Sequence, residues 1–98
     1  MKMAFSRLCD EDLECIADVI ARDSPRRARS YVREIRDCCR SLARMPNRFP
    51  AATEFGSGLR RRFFGAYLIL FSVHADHVLV ERILHTARDL GPDDLLKS

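Results

Sequence analysis

Leu59-Arg60-Arg61-Arg62-Phe63-Phe64-Gly65-Ala66-Tyr67-Leu68-Ile69-Leu70-Phe71-Ser72-Val73 is the stretch whose reading decides the fold. Two runs rich in aromatic and branched side chains flank Gly65-Ala66, and a third, Val78 to His85, follows the turn at His74-Ala75-Asp76. Connections this short cannot carry a crossover, so the three strands pair antiparallel as a meander. The run Tyr67–Phe71 is apolar on both sides and belongs in the centre of the sheet. Working back from it, residues 46–58 hold Pro46, Pro50, Gly56 and Gly58 and read as a loop.

Two helices precede that loop. Ser6 caps the first, with Asp10 and Glu11 near its positive end, and Cys9, Leu13, Ile16, Ala17 and Ile20 recur at helical spacing up to a stop near Asp23. Ser24-Pro25 restarts the chain, because serine accepts from free amides and proline suits the first helical position. The second helix is predicted from Pro25 to about Met45, ended by Pro46, with an apolar face of Ala28, Tyr31, Val32, Ile35, Cys38, Cys39 and Leu42. A short strand over Lys2–Phe5 completes the set. The expected architecture is α+β: a short N-terminal strand, an antiparallel two-helix hairpin, then a three-strand antiparallel meander forming one sheet with the hairpin on one face. Strand order stays open.

The 98 residues make one domain, spanning 1–98, with a modest core that a permanent partner would support. Hydrophobic residues at 47% and charged residues at 32% describe a globular chain and argue against disorder. No apolar run reaches bilayer length, and Met1–Phe5 lacks a signal-peptide core, so the expectation is a cytoplasmic protein without a membrane partner. Cys9, Cys15, Cys38 and Cys39 include no Cys-x-x-Cys pair and have no nearby histidine, so neither a metal nor any other cofactor is expected, and free cysteine behaves as a small buried hydrophobe.

Charge is more telling in its kind than in its sum. The formal net charge is +3, and Lys2 and Lys97 are the only lysines among 17 basic residues. Arginine suits planar contacts to carboxylate or phosphate. Arg26, Arg29, Arg33, Arg36, Arg40 and Arg44 recur at spacings of three and four, inside a sector of about 80° opposite the apolar face of the second helix. Asp37 is the obvious acidic neighbour of that stripe. Its plain reading is a solvated face; its functional reading is a surface for an acidic partner, with Arg33, Arg36 and Arg40 at its centre.

Residue patterns over nearly the whole chain go further. Asp12-Leu13-x-x-Ile16-x-x-x-Ile20-Ala21, Ser24-Pro25-x-x-Ala28-x-x-Tyr31-Val32-x-x-Ile35 and Leu42-x-x-x-Pro46 resemble the helical hairpin of the RelE/ParE toxin superfamily. Gly58-Leu59-Arg60, Tyr67-Leu68-Ile69-Leu70-Phe71 and Val80-x-Arg82-Ile83-Leu84-His85-x-x-Arg88-Asp89 resemble its sheet. The resemblance implies the toxin of a type II toxin–antitoxin pair, held in a hetero-oligomer by a cognate, ParD-like antitoxin. It leaves two modes of growth arrest. ParE-like toxins inhibit DNA gyrase without being enzymes, whereas RelE-like toxins cleave messenger RNA on the ribosome. A homologue that binds antitoxin but has lost toxicity is the third reading.

Chemistry separates the two modes. Metal-free RNA cleavage needs a base for the 2′-hydroxyl, cations for the phosphate and an acid for the leaving oxygen. The meander carries no lysine, and residues 86–98 carry no aromatic side chain. If the chain is a nuclease, His85 is the base, with Arg60, Arg62, Arg82 and Arg88 as the cations. These residues also have plainer readings, His85 as a structural histidine at a strand end and Arg88-Asp89 as a self-paired tail. The poor acid–base equipment and the long helices favour the ParE-like branch. Arg60, Arg61, Arg62 and Arg88 join Arg33, Arg36 and Arg40 as candidate partner contacts. Alternation sets Arg61 on the opposite face from Arg60 and Arg62, so at least one of the three is structural, paired with an acid such as Asp12 or Glu81.

Overall fold

The structure, a computed structural model, describes residues 1–90; residues 91–98 of the expected single domain, Lys97 among them, lie outside the described residues. The elements are β1 (Lys2–Phe5), α1 (Arg7–Ala21), α2 (Pro25–Ser41), a single 3-10 turn (Pro46–Arg48), β2 (Leu59–Phe64), β3 (Tyr67–Val73) and β4 (His77–His85). They form the expected α+β arrangement, with one sheet in the order β1-β4-β3-β2. The meander is antiparallel, and β1 joins it parallel to β4, Lys2 facing His77 and Phe5 facing Val80. No helix among the described residues is long and apolar enough to cross a membrane.

Local chemistry sets the boundaries. Ser6 Oγ accepts the Cys9 amide at 3.0 Å and donates to the Glu81 carbonyl at 2.7 Å, so one hydroxyl both caps α1 and ties it to β4. Ser24 Oγ accepts the Arg27 amide at 3.1 Å, with Pro25 opening α2. The regular part of α2 stops at Ser41, four residues short of the predicted Met45. Leu42, Ala43 and Arg44 instead close i→i−3 hydrogen bonds onto Cys39, Arg40 and Ser41. The residue before a proline is barred from the helical region, and Met45 leaves it at φ −145° and ψ 66°. The last turn tightens before that exit. Gly65 takes φ +54° at the first central position of the β2–β3 turn, and a Cβ there would meet the Tyr31 hydroxyl at 3.0 Å.

The helical hairpin covers one sheet face. Cys9, Leu13, Ile16, Ile35, Cys39 and Leu42 pack on Tyr67, Ile69, Phe71, Val78, Val80 and Ile83. The opposite face carries a smaller cluster of Ala52, Leu68, Leu70 and Leu90, with Phe55, Leu59 and Leu84 against it. β3 is therefore buried on both sides, as its unbroken apolar run requires. A bulge in β4 reconciles the two layers. Leu70 faces Arg82 while Phe71 faces Val80, which leaves Glu81 as the extra residue. Val78 and Val80 point to the helices before the bulge, and Ile83 and His85 after it.

Candidate functional site

Three regions gather the chain's chemistry, and the first lies where β4 outruns β1. Beyond Phe5 no strand of the described residues lies beside the outer edge of β4. Asp12 of α1 fills that place: Oδ2 accepts from the Ile83 amide at 2.9 Å, and its two oxygens take Arg82 Nε and Nη2 at 2.9 and 3.0 Å. The fork-to-fork pair holds the Arg82 guanidinium more firmly protonated than a free arginine. Asp12 was, with Glu81, one of the acids anticipated as partner of a β2 arginine, but the structure gives it to Arg82. The reason is the bulge, which turns Arg82 out over the strand edge. With the Asp12 side chain only 16% exposed, Asp12→Ala is expected to cost about 2–3 kcal/mol, by stranding a strand amide and a guanidinium together. A urea denaturation midpoint within error of the parent would refute this role.

Past Asp12, a cleft of about 430 Å³ runs between α1 and the chain after β4, bordered by Asp12, Cys15, Arg22, Arg82, Arg88 and Asp89. Asp89 folds back on the strand end: Oδ2 accepts the His85 amide at 2.7 Å, and the carboxylate takes Arg88 Nε at 3.1 Å. The Arg88 hydrogen bond, followed by that from the His85 amide, pulls the Asp89 carboxyl below the usual aspartate range. His85 Nδ1 accepts from the amides of Ala87 and Arg88 at 3.2 and 3.1 Å, and its ring meets Tyr67 edge-on at 5.1 Å. A neutral ring held this way keeps its proton on Nε2 and has no spare lone pair.

The second region is the arginine triplet of β2, whose members are each bound to nearby chain. Arg60 Nη1 donates to the carbonyls of Phe49 at 2.7 Å and Asn47 at 3.3 Å. Arg62 Nη1 donates to Ser41 Oγ at 2.7 Å and stacks over Phe49 at 5.2 Å. On the other face Arg61 reaches the Ala51 carbonyl at 2.8 Å and Glu54 at 3.4 Å. The arginines proposed from sequence as one cationic set are thus divided. Arg82 and Arg88 border the α1–β4 cleft, whereas Arg60 and Arg62 turn toward the far end of α2. The register separates the groups by two strands, Arg62 facing Ile69 and Ile69 facing Ile83.

The third region is the outer surface of the helical hairpin. Ala17, Ala21, Pro25, Ala28 and Val32 floor an apolar groove of about 410 Å³ between α1 and α2, rimmed by Asp18 and Arg29. Small side chains on facing turns leave it open. The arginine stripe reaches this groove at Arg29 and is not uniformly free. Arg36 stacks over Phe5 at 5.3 Å and reaches Asp10 at 3.9 Å, and Arg40 pairs with Asp37 at 3.0 Å. Asp37, the acidic neighbour of the stripe, therefore serves Arg40, and Arg33 is exposed. Sequence reading missed Arg48 and Phe49 altogether, because only the folding of the 46–58 loop against β2 brings them beside Arg62.

A family model described as the ParE toxin of the type II toxin–antitoxin system, parDE, matches residues 3–90, nearly every residue described above. Among solved structures, a chain from "Chromosomal ParDE TA system from P. aeruginosa" superposes with a TM-score of 0.76 at 20% identity, covering 87% of this chain and 95% of that one. At that identity the likeness is one of fold. The curated proteins include no match.

Proposed function

Since the chain belongs to the ParE toxin family of type II toxin–antitoxin systems, we propose that it is a toxin neutralised by a cognate antitoxin and that its target is DNA gyrase. The family match over residues 3–90 carries this reading. The geometry at His85 supports a binding protein over a nuclease. To accept a 2′-hydroxyl proton, the ring would have to give up the Ala87 and Arg88 amides that fix the end of β4. The arginines nearest His85 are already matched to Asp12 and Asp89, and those of β2 lie elsewhere. The antitoxin is assigned to the groove between α1 and α2, whose alanine floor admits an apolar side chain from an amphipathic segment. Arg29, Arg33, Arg36 and Arg40 along the same helix would steer an acidic partner toward it.

The test is a plasmid reaction with purified gyrase, ATP and this protein, scored for trapped double-strand breaks. Linear DNA should accumulate and disappear on adding the antitoxin encoded beside it. In cells, His85→Ala should leave growth arrest intact. Loss of arrest by a folded His85→Ala protein, with no trapped DNA, would move the target to messenger RNA on the ribosome. Harmless expression without antitoxin would identify a homologue that has lost its toxicity.

A further inference from the structure

The positive charge of this chain is concentrated in its middle. Between Cys38 and Ala75 there are six arginines against one glutamate; of these, Arg40 is answered by Asp37 and Arg61 by Glu54. Elsewhere most arginines are answered within the chain: Arg7 by Glu11, Arg27 by Glu34, Arg36 by Asp10, Arg82 by Asp12 and Arg88 by Asp89. Among the described residues no carboxylate answers Arg44, Arg48 or Arg62. They converge with Ser41 and Met45 on a cleft of about 410 Å³ at the C-terminal end of α2, and no carboxylate lines it among the described residues.

That convergence is held in place. The guanidinium groups of Arg48 and Arg62 share one aromatic ring, at 5.1 and 5.2 Å from the centre of Phe49. Ser41 Oγ fixes Arg62 at 2.7 Å, and Arg60 is drawn to the same loop by the Phe49 carbonyl. Like charges gathered on one ring repel unless something negative sits between them. The negative end of the α2 dipole supplies roughly half a charge, which leaves three guanidinium groups largely unanswered among the described residues. Among the described residues no carboxylate supplies the counter-charge.

We propose that this cleft is a phosphodiester-binding site, which takes the backbone of a nucleic acid between Arg44, Arg48 and Arg62. Planar guanidinium forks fit phosphate oxygens, and Ser41, whose hydroxyl donates to the Cys38 carbonyl at 2.6 Å, serves to hold Arg62 in place among them. An acidic protein is the weaker fit, because protein interfaces need an apolar centre and Met45 is the only apolar side chain in the lining. The site stands at the opposite end of α2 from the proposed antitoxin groove, and it does not depend on gyrase being the target.

The full chain, freed of antitoxin, is titrated by fluorescence anisotropy against a 20-base-pair duplex DNA of arbitrary sequence and a single-stranded RNA of equal length, from 50 to 200 mM salt. Arg44→Gln/Arg48→Gln should lower the slope of log affinity against log salt by about 1.8 on the duplex or about 1.4 on the single strand. Arg26→Gln/Arg29→Gln, with the same change in net charge at the other end of α2, should keep the parent slope. All four positions are exposed, and circular dichroism checks that both variants are folded. Tighter duplex or tighter RNA binding identifies which nucleic acid supplies the phosphate. Equal loss in both variants would reduce the effect to overall charge and overturn the site. So would absence of nucleic-acid binding at 50 mM salt, or Arg44/Arg48-dependent binding of a polyglutamate peptide in its place.

Discussion

Phe71→Ala should lower the free energy of unfolding by about 3–5 kcal/mol, against a total of about 5–15 kcal/mol for a domain of this kind. Phe71 is fully buried at the centre of the middle strand, beneath the helical hairpin. Its ring meets Phe49 edge-on at 5.9 Å, so it also anchors the loop that bears on the β2 arginines. Truncation removes the transfer energy of the ring and leaves a cavity between two rigid layers that cannot close without moving the sheet. Phe63, on the neighbouring strand and 48% exposed, is the control. Phe63→Ala should change stability by no more than about 0.5 kcal/mol. Urea denaturation of both variants measures the contrast, and near-equal midpoints would refute the two-layer core. A second consequence concerns function: the Phe71 variant should loosen Phe49, and with it the cationic cleft, before it unfolds.

Alkaline pH should unfold the protein through two thiols. Cys9 on α1 and Cys39 on α2 belong to the same core cluster and are wholly buried. Burial pushes both thiols up from the ordinary 9.0 to about 12, and at Cys39 the neighbouring Cys9 adds to the shift. Between those values the unfolded chain has released its thiol protons while the folded chain retains them. The folded state then binds more protons, so stability falls as pH rises, by about 1.4 kcal/mol per pH unit for each thiol. Two thiols give about 2.7 kcal/mol per unit, and by pH 11 the loss approaches the whole stability of a small domain. Burial raises the Cys38 thiol as well, which acts in the same direction. In Cys9→Ala/Cys39→Ala the decline should be mostly gone between pH 9 and 10, leaving Cys38 and then Tyr31 and Tyr67, whose hydroxyls burial also shifts upward. A parent protein equally stable at pH 8 and 11 would mean that both thiols ionise in the folded state.

Both effects trace to choices visible in the chain itself. The helix starts are local chemistry, since a serine at each boundary finds its amide three residues away whatever the rest of the molecule does. The meander was legible for the same reason: Gly65 must take positive φ, and Tyr67–Phe71 has no polar face to show to water. These features also carry the resemblance to the toxin superfamily, because a fold is written in its caps, turns and apolar periods. The end of α2 was less legible. Pro46 marks where the helix cannot continue, but the tightening that precedes it begins already at Leu42.

What the sequence by itself determined is the inventory: two capped helices, three antiparallel strands, an arginine-rich chemistry and family membership. Each rests on interactions within a few residues or on periodicity along one element. Only the tertiary structure decided which arginine meets which acid. A strict period of two from Val78 would place Arg82 under the helices, and the bulge at Glu81 instead swings it to Asp12, 70 residues away along the chain. Only the tertiary structure separated Arg60 and Arg62 from Arg82, Arg88 and His85, and brought Arg48 and Phe49 beside Arg62. Charge–charge and stacking contacts depend on where side-chain ends arrive. That position accumulates every bulge, turn and register shift between them, and no local pattern encodes the sum.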